Sequence, residues 1–98
     1  MAGHNIFMNY YIYVLKSLKD NNLYIGCTSN LKKRLDYHYK GNVKSIKHRR
    51  PLNLIYSEKY NNKYEAYKKE RYYKTAKGKK ELKNKIKHYS NKKHSGVV

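Results

Sequence analysis

Residues 9–16, NYYIYVLK, are apolar or aromatic at every position from Tyr10 to Leu15. That density of aromatic and β-branched side chains predicts a strand. Tyr11 and Tyr13 share one of its faces, and Tyr10, Ile12 and Val14 the other. The polar run Lys19-Asp20-Asn21-Asn22 predicts a turn and residues 23–27 a second, shorter strand, so the two form a hairpin. Thr28, Ser29 and Asn30 then offer capping oxygens to a helix over 30–40. Leu31 and Leu35 give that helix an apolar stripe at i and i+4, and Gly41 ends it. Residues 41–51, GNVKSIKHRRP, read as a basic loop, and residues 52–59 alternate as a third strand. After the turn at Asn61-Asn62, a second helix covers 63–75. Gly78 breaks the pattern, and a third helix covers 79–88.

The element order is β-β-α-β-α-α. It predicts one α+β domain, a small, mostly antiparallel three-stranded sheet flanked by helices. Residues 1–8 read as a leader or added stretch, 9–88 as the single domain and 89–98 as a flexible basic tail.

Charge narrows the partner. Of 98 residues, 24 are Lys or Arg and only six are Asp or Glu, a formal charge of +18. Such a surface favours a polyanion, and nucleic acid foremost; the alternative is a basic composition serving solubility alone. Thirteen tyrosines with no Trp either fill a core that has one Phe or stack on bases. Cys27 is the only cysteine, which excludes an internal disulfide framework and a Cys-based zinc site. With no long apolar run and no signal-peptide pattern, the expected setting is cytoplasmic, with no membrane and no obligatory protein partner.

Helical geometry picks out residues from the lysine background. On a wheel at about 100° per residue, with Leu31 at zero, Leu35 falls near 40°, His38 near −20° and Arg34 near −60°. Arg34 and His38 therefore border the apolar stripe, while Lys32 and Lys33 face water. A partly sheltered guanidinium suits a phosphate, and an imidazole one turn away could exchange a proton with it. Packing alone would also account for the pair. On the second helix Glu70 lies within roughly 40° of Ala66, toward the sheet. A carboxylate there needs a cation. An ion pair with Arg34 and a single-carboxylate site for Mg²⁺ or Mn²⁺ both satisfy it.

Three motifs then stand in register. Tyr11-Ile12-Tyr13 is followed by Tyr24-Ile25-Gly26. Arg34 and His38 lie ten and fourteen residues beyond Tyr24, and Glu70 stands in EAYKKERYYK. This set resembles the GIY-YIG nuclease superfamily, and most closely its small stand-alone bacterial members, which are similar to the nuclease module of the excision-repair incision subunit. Tyr11 stands where the name-giving glycine would be, Cys27 where some relatives carry a lysine, and a late asparagine of some members has no clear counterpart, Asn84 being a weak candidate. The resemblance implies a metal-dependent endonuclease acting on DNA, single-stranded or structured, with little sequence specificity, in a DNA-repair setting. Glu70 would hold Mg²⁺ or Mn²⁺, Arg34 would stabilise phosphoryl charge, Tyr24 would position the phosphate, and Tyr13 with His38 would orient or activate water. Lys44, Lys47, Arg49 and Arg50 would track the nucleic-acid backbone. A non-catalytic nucleic-acid-binding module on the same fold is the alternative. A protein of anionic membrane surfaces fits less well, because no helix has a large apolar face.

Overall fold

The computed structural model of the chain describes the backbone of residues 8–97 and the side chains of residues 8–89. The expected leader therefore lies, apart from Met8, outside the described residues. Strands β1 (Tyr10–Ser17), β2 (Leu23–Thr28) and β3 (Leu52–Tyr60) form one antiparallel sheet in the order β2-β1-β3. Helix α1 (Leu31–Tyr39) follows β2, and α2 (Lys63–Tyr73) and α3 (Ala76–Val97) follow β3. The α+β class and the β-β-α-β-α-α order are those expected.

The central position of β1 accounts for its composition. With a neighbour at each edge and helices over both faces, it needs apolar side chains on both sides. Ile12, Tyr13, Val14 and Leu15 are each at most 1% exposed. Ile12 and Val14 pack with Ile25, Tyr73 and Leu82 beneath α2 and α3. Tyr13 and Leu15 pack on the opposite face with Ile46, and with Tyr24, Leu31 and Leu35 around them. Strand alternation thus divides one sheet between two cores.

Local chemistry sets the ends of the elements. At the β1–β2 turn Asn21 adopts a positive φ of 65°, and the buried Ser17 Oγ accepts from the N–H groups of Lys19 and Asp20 at 3.1 and 3.2 Å. Asn30 caps α1 by accepting from the Lys33 N–H at 3.1 Å, and Asn62 caps α2 by accepting from those of Tyr64 and Glu65. Each cap satisfies an amide that the helix cannot.

Two expectations are corrected. Gly78 lies inside α3, whose first turn it helps to form. Thr75 Oγ1 accepts its N–H at 3.0 Å, and a Cβ at this position would run into the Tyr72 carbonyl. The glycine permits close approach of two helices where a break was expected, and α3 runs on through Val97. The basic loop, for its part, is anchored. Ile46 is 4% exposed in the Tyr13 core, Lys47–Arg49 forms a short 3-10 turn, and Ser17 Oγ donates to the Arg49 carbonyl at 2.7 Å.

On the face toward α2 and α3, Tyr56, Glu58 and Tyr60 alternate along β3. Glu58 accepts from the hydroxyls of Tyr56, Tyr73 and Tyr60 at 2.6, 2.6 and 2.7 Å. Lys85 Nζ adds an ion pair at 3.3 Å and donates to the Tyr73 oxygen at 2.7 Å. Burial alone would raise the Glu58 pKa; the three hydroxyls and Lys85 outweigh it and hold the carboxyl below its usual range.

Candidate active site

The other face gathers different chemistry. Tyr13 on β1 stands opposite Gly26 on β2, and any Cβ there would collide with the Tyr13 ring. Gly26 therefore leaves the tyrosine room to lie across the neighbouring strand. From α1, His38 points inward. It is the only buried residue of that helix, and its Nε2 lies 2.9 Å from the Tyr13 hydroxyl. Tyr24 meets the His38 ring edge-on, with centroids 5.2 Å apart.

Burial pushes the Tyr13 hydroxyl well above the usual tyrosine pKa, with Tyr24 adding to the shift, Arg34 opposing it, and Glu70 and Cys27 adding further. Burial, assisted by Arg34, pushes His38 below its ordinary 6.5. The pair is therefore a protonated tyrosine and a neutral histidine near pH 7. His38 Nδ1 is buried without a hydrogen-bond partner. If Tyr13 donates to Nε2, Nδ1 carries an unused proton; if Nε2 donates, Nδ1 is an unused acceptor. Either form leaves a mismatch worth about 1–3 kcal/mol inside the site.

Arg34 departs from the expected partly sheltered position, for the residue is exposed. Only Leu31, Leu35 and His38 of α1 turn toward the sheet, a stripe too narrow to cover a long side chain beside it. Its charge still reaches both Tyr13 and His38. Lys32 and Lys33 face water as expected.

Glu70 on α2 is partly buried, its side chain 17% exposed, and its Oε2 pairs with Lys74 Nζ at 3.2 Å. Lys74, four residues on, thus takes the place considered for Arg34. The Glu70 charge raises both Tyr13 and Cys27, which sets it at the edge formed by β2. Cys27 is pushed up to about 11 by burial and by Glu70, against Lys74, so it remains a thiol. Among the described residues no three of His, Cys, Asp and Glu are grouped to hold a metal. Glu70 as a single, partly exposed carboxylate fits the way Mg²⁺ is held, by one protein oxygen with waters and substrate phosphates.

The basic loop is less uniform than its sequence. Lys44 and Lys47 are exposed. Arg49 pairs with Asp20 at 3.8 Å. Arg50 donates to the carbonyls of Lys47 and Tyr39 at 3.0 and 3.4 Å, its guanidinium lying against Gly41, whose φ is +79°. Both arginines thus hold the loop in place. Sequence reasoning passed over Lys74, although its i+4 spacing from Glu70 was a usable signal.

A family model described as the GIY-YIG catalytic domain matches residues 9–87. The chain belongs to the GIY-YIG family. Among its relatives, a UPF0213 protein of Limosilactobacillus reuteri is 46% identical over 68 residues, covering 66% of this chain and 70% of that one. A UPF0213 protein of Bacillus licheniformis is 39% identical over 90 residues, covering 91% and 88%. The solution structure of the UPF0213 protein BH0048 from Bacillus halodurans superposes with a TM-score of 0.50 at 30% identity, covering 79% of this chain and 84% of that one. In GIY-YIG terms, Tyr13 closes the first motif and Tyr24 to Gly26 form the second, and the two lie on paired strands.

Proposed function

We propose that this GIY-YIG protein is a divalent-metal-dependent endonuclease that hydrolyses phosphodiester bonds in DNA, single-stranded or structured, with little sequence specificity. One observation carries this reading: the buried Tyr13 hydroxyl lies 2.9 Å from His38 Nε2 and feels the charges of both Arg34 and Glu70. A cationic hydrogen-bond donor, a carboxylate and a proton-exchanging pair brought together are the parts phosphodiester hydrolysis needs.

Arg34, exposed and always charged, grips the phosphate with two parallel hydrogen bonds and stabilises the charge that develops on it. Tyr24 packs against His38 and positions the phosphate. The attacking water gives its proton to the Tyr13 oxygen as Tyr13 passes its own to His38 Nε2, so the base strength resides in the imidazole. Mg²⁺ or Mn²⁺ held by Glu70 would supply charge neutralisation at the scissile phosphate and its leaving oxygen. Lys44 and Lys47 add backbone contacts that salt weakens. Among the described residues no helix is long and apolar enough to cross a membrane, and we place the activity in the cytoplasm, in a DNA-repair setting.

The test is cleavage of labelled single-stranded, duplex and branched DNA and of RNA, with Mg²⁺ or Mn²⁺ and with chelator, beside Glu70→Ala. Cutting that requires metal and disappears in the variant supports the reading. Binding of every substrate without cutting would favour the non-catalytic module. Normal cutting by Glu70→Ala would overturn the site.

A further inference from the structure

A cleft of about 550 Å³ opens between the β1–β2 hairpin and the start of α3. Lys16, Arg49, Lys79 and Lys83 line it, Leu23 and Ile25 contribute apolar floor, and none of its lining residues is acidic. Arg49 is shared with Asp20 at 3.8 Å, which leaves Lys16, Lys79 and Lys83 as the cations turned to the cleft. None of these three belongs to the site described above, nor to the basic loop.

Placement relates the cleft to that site. Leu23, Ile25 and Cys27 alternate on one face of β2, and Cys27, like Tyr13, feels the Glu70 charge. Leu23 is four residues from Cys27, a span of about 13 Å at strand rise. A nucleic-acid strand covers that span in about four nucleotides at duplex rise. Cations over an apolar floor match a chain of phosphates joined by less polar sugars.

We propose that this cleft binds the sugar–phosphate backbone of the substrate about four nucleotides from the bond that is cut, with Lys16, Lys79 and Lys83 as its anion contacts. The distance to the cut rests on the nuclease reading; the binding does not. The cleft lets so small a domain hold its substrate at two points.

Binding of fluorescent single-stranded oligonucleotides of increasing length, measured in chelator across a salt series, separates the two ideas. The variant is Lys79→Glu with Lys83→Glu, both exposed. The control, Lys77→Glu with Lys80→Glu, changes the same charge on α3 outside the cleft. The cleft variant should bind more weakly, with a log–log salt slope shallower by about 1.4, two contacts at about 0.7 each. Its affinity should also stop rising with length sooner than that of the unaltered protein. In metal, its KM should rise while kcat holds. An unchanged slope in the cleft variant, or an equal loss in the control, overturns the proposal. A protein that never cuts but shows the slope change keeps the cleft and refutes the nuclease.

Discussion

The sheet carries a polar cluster on each face, and the two differ in how completely they are satisfied. Around Glu58, both carboxylate oxygens are taken: three tyrosine hydroxyls and Lys85 converge on them. Around His38, a ring nitrogen is left without a partner, the nearby arginine is exposed, and the carboxylate of Glu70 has a single lysine. A closed network gains nothing from a ligand and serves to lock β3, α2 and α3 together. An open one holds donors and acceptors in place for groups that arrive with the substrate. Tyrosine is the main component of both, so composition alone could not have separated scaffold from site.

That contrast can be broken from either side. The largest effect should come from Glu58→Ala, which strips the acceptor from the buried Tyr73 hydroxyl and from Lys85. Because Lys85 is partly exposed and can turn to water, the low end of the cost of breaking a buried pair applies, about 3 kcal/mol in denaturant titration. Material that remains folded should still cut. Arg34→Ala should do the reverse, lowering cleavage by about 10²–10³-fold while moving stability by no more than about 0.5 kcal/mol. If Arg34→Ala unfolded the protein, or Glu58→Ala abolished cutting without loss of stability, the division would be wrong. Tyr13→Phe lies between them. It leaves His38 Nε2 buried without its partner, and should cost about 1–2 kcal/mol together with most of the activity.

The smallest effect is on pH dependence. His38 has its pKa lowered in the fold, so the unfolded chain takes up a proton first as pH drops below about the ordinary 6.5. Stability should therefore decline as pH falls from 7 toward the lower folded value, and then level off. Glu58 is also depressed, but from 4.5. Its contribution, complete above that value, is lost only in stronger acid. Melting temperatures between pH 5 and 7 should flatten in His38→Gln, and an unchanged slope would remove His38 as the cause.

Much of this organisation was legible in the chain. The strand density of residues 9–16, the cap at Asn30 and the Leu31–Leu35 stripe are local signals, and local signals survive folding. What was missed depends on packing that local propensity does not show. Gly78 looks like a stop because its reason, the close approach of the Tyr72 carbonyl at the junction of α2 and α3, is a matter of packing and not of propensity. Ile46 looks like loop because a single apolar residue has no periodicity to announce its burial. Arg34 was placed by angle on a wheel, and angle does not tell how wide a stripe the opposing sheet covers. The Tyr56-Glu58-Tyr60 alternation was present to be read, yet its meaning required Tyr73 and Lys85 from two other helices.

The irregularity between Val14 and Leu15, where β1 meets β3 out of step, has a consequence for inheritance. A slip of one residue along β1 would exchange its faces, setting Ile12 or Val14 beneath the imidazole and burying Tyr13 among the helices. The bulge fixes the strand like a key in a slot, because only one alignment accommodates the extra residue. Descendants of this chain can therefore alter the chemistry of one face by substitution, position by position. They cannot do it by sliding the strand, and insertions or deletions within β1 should be absent from functional variants.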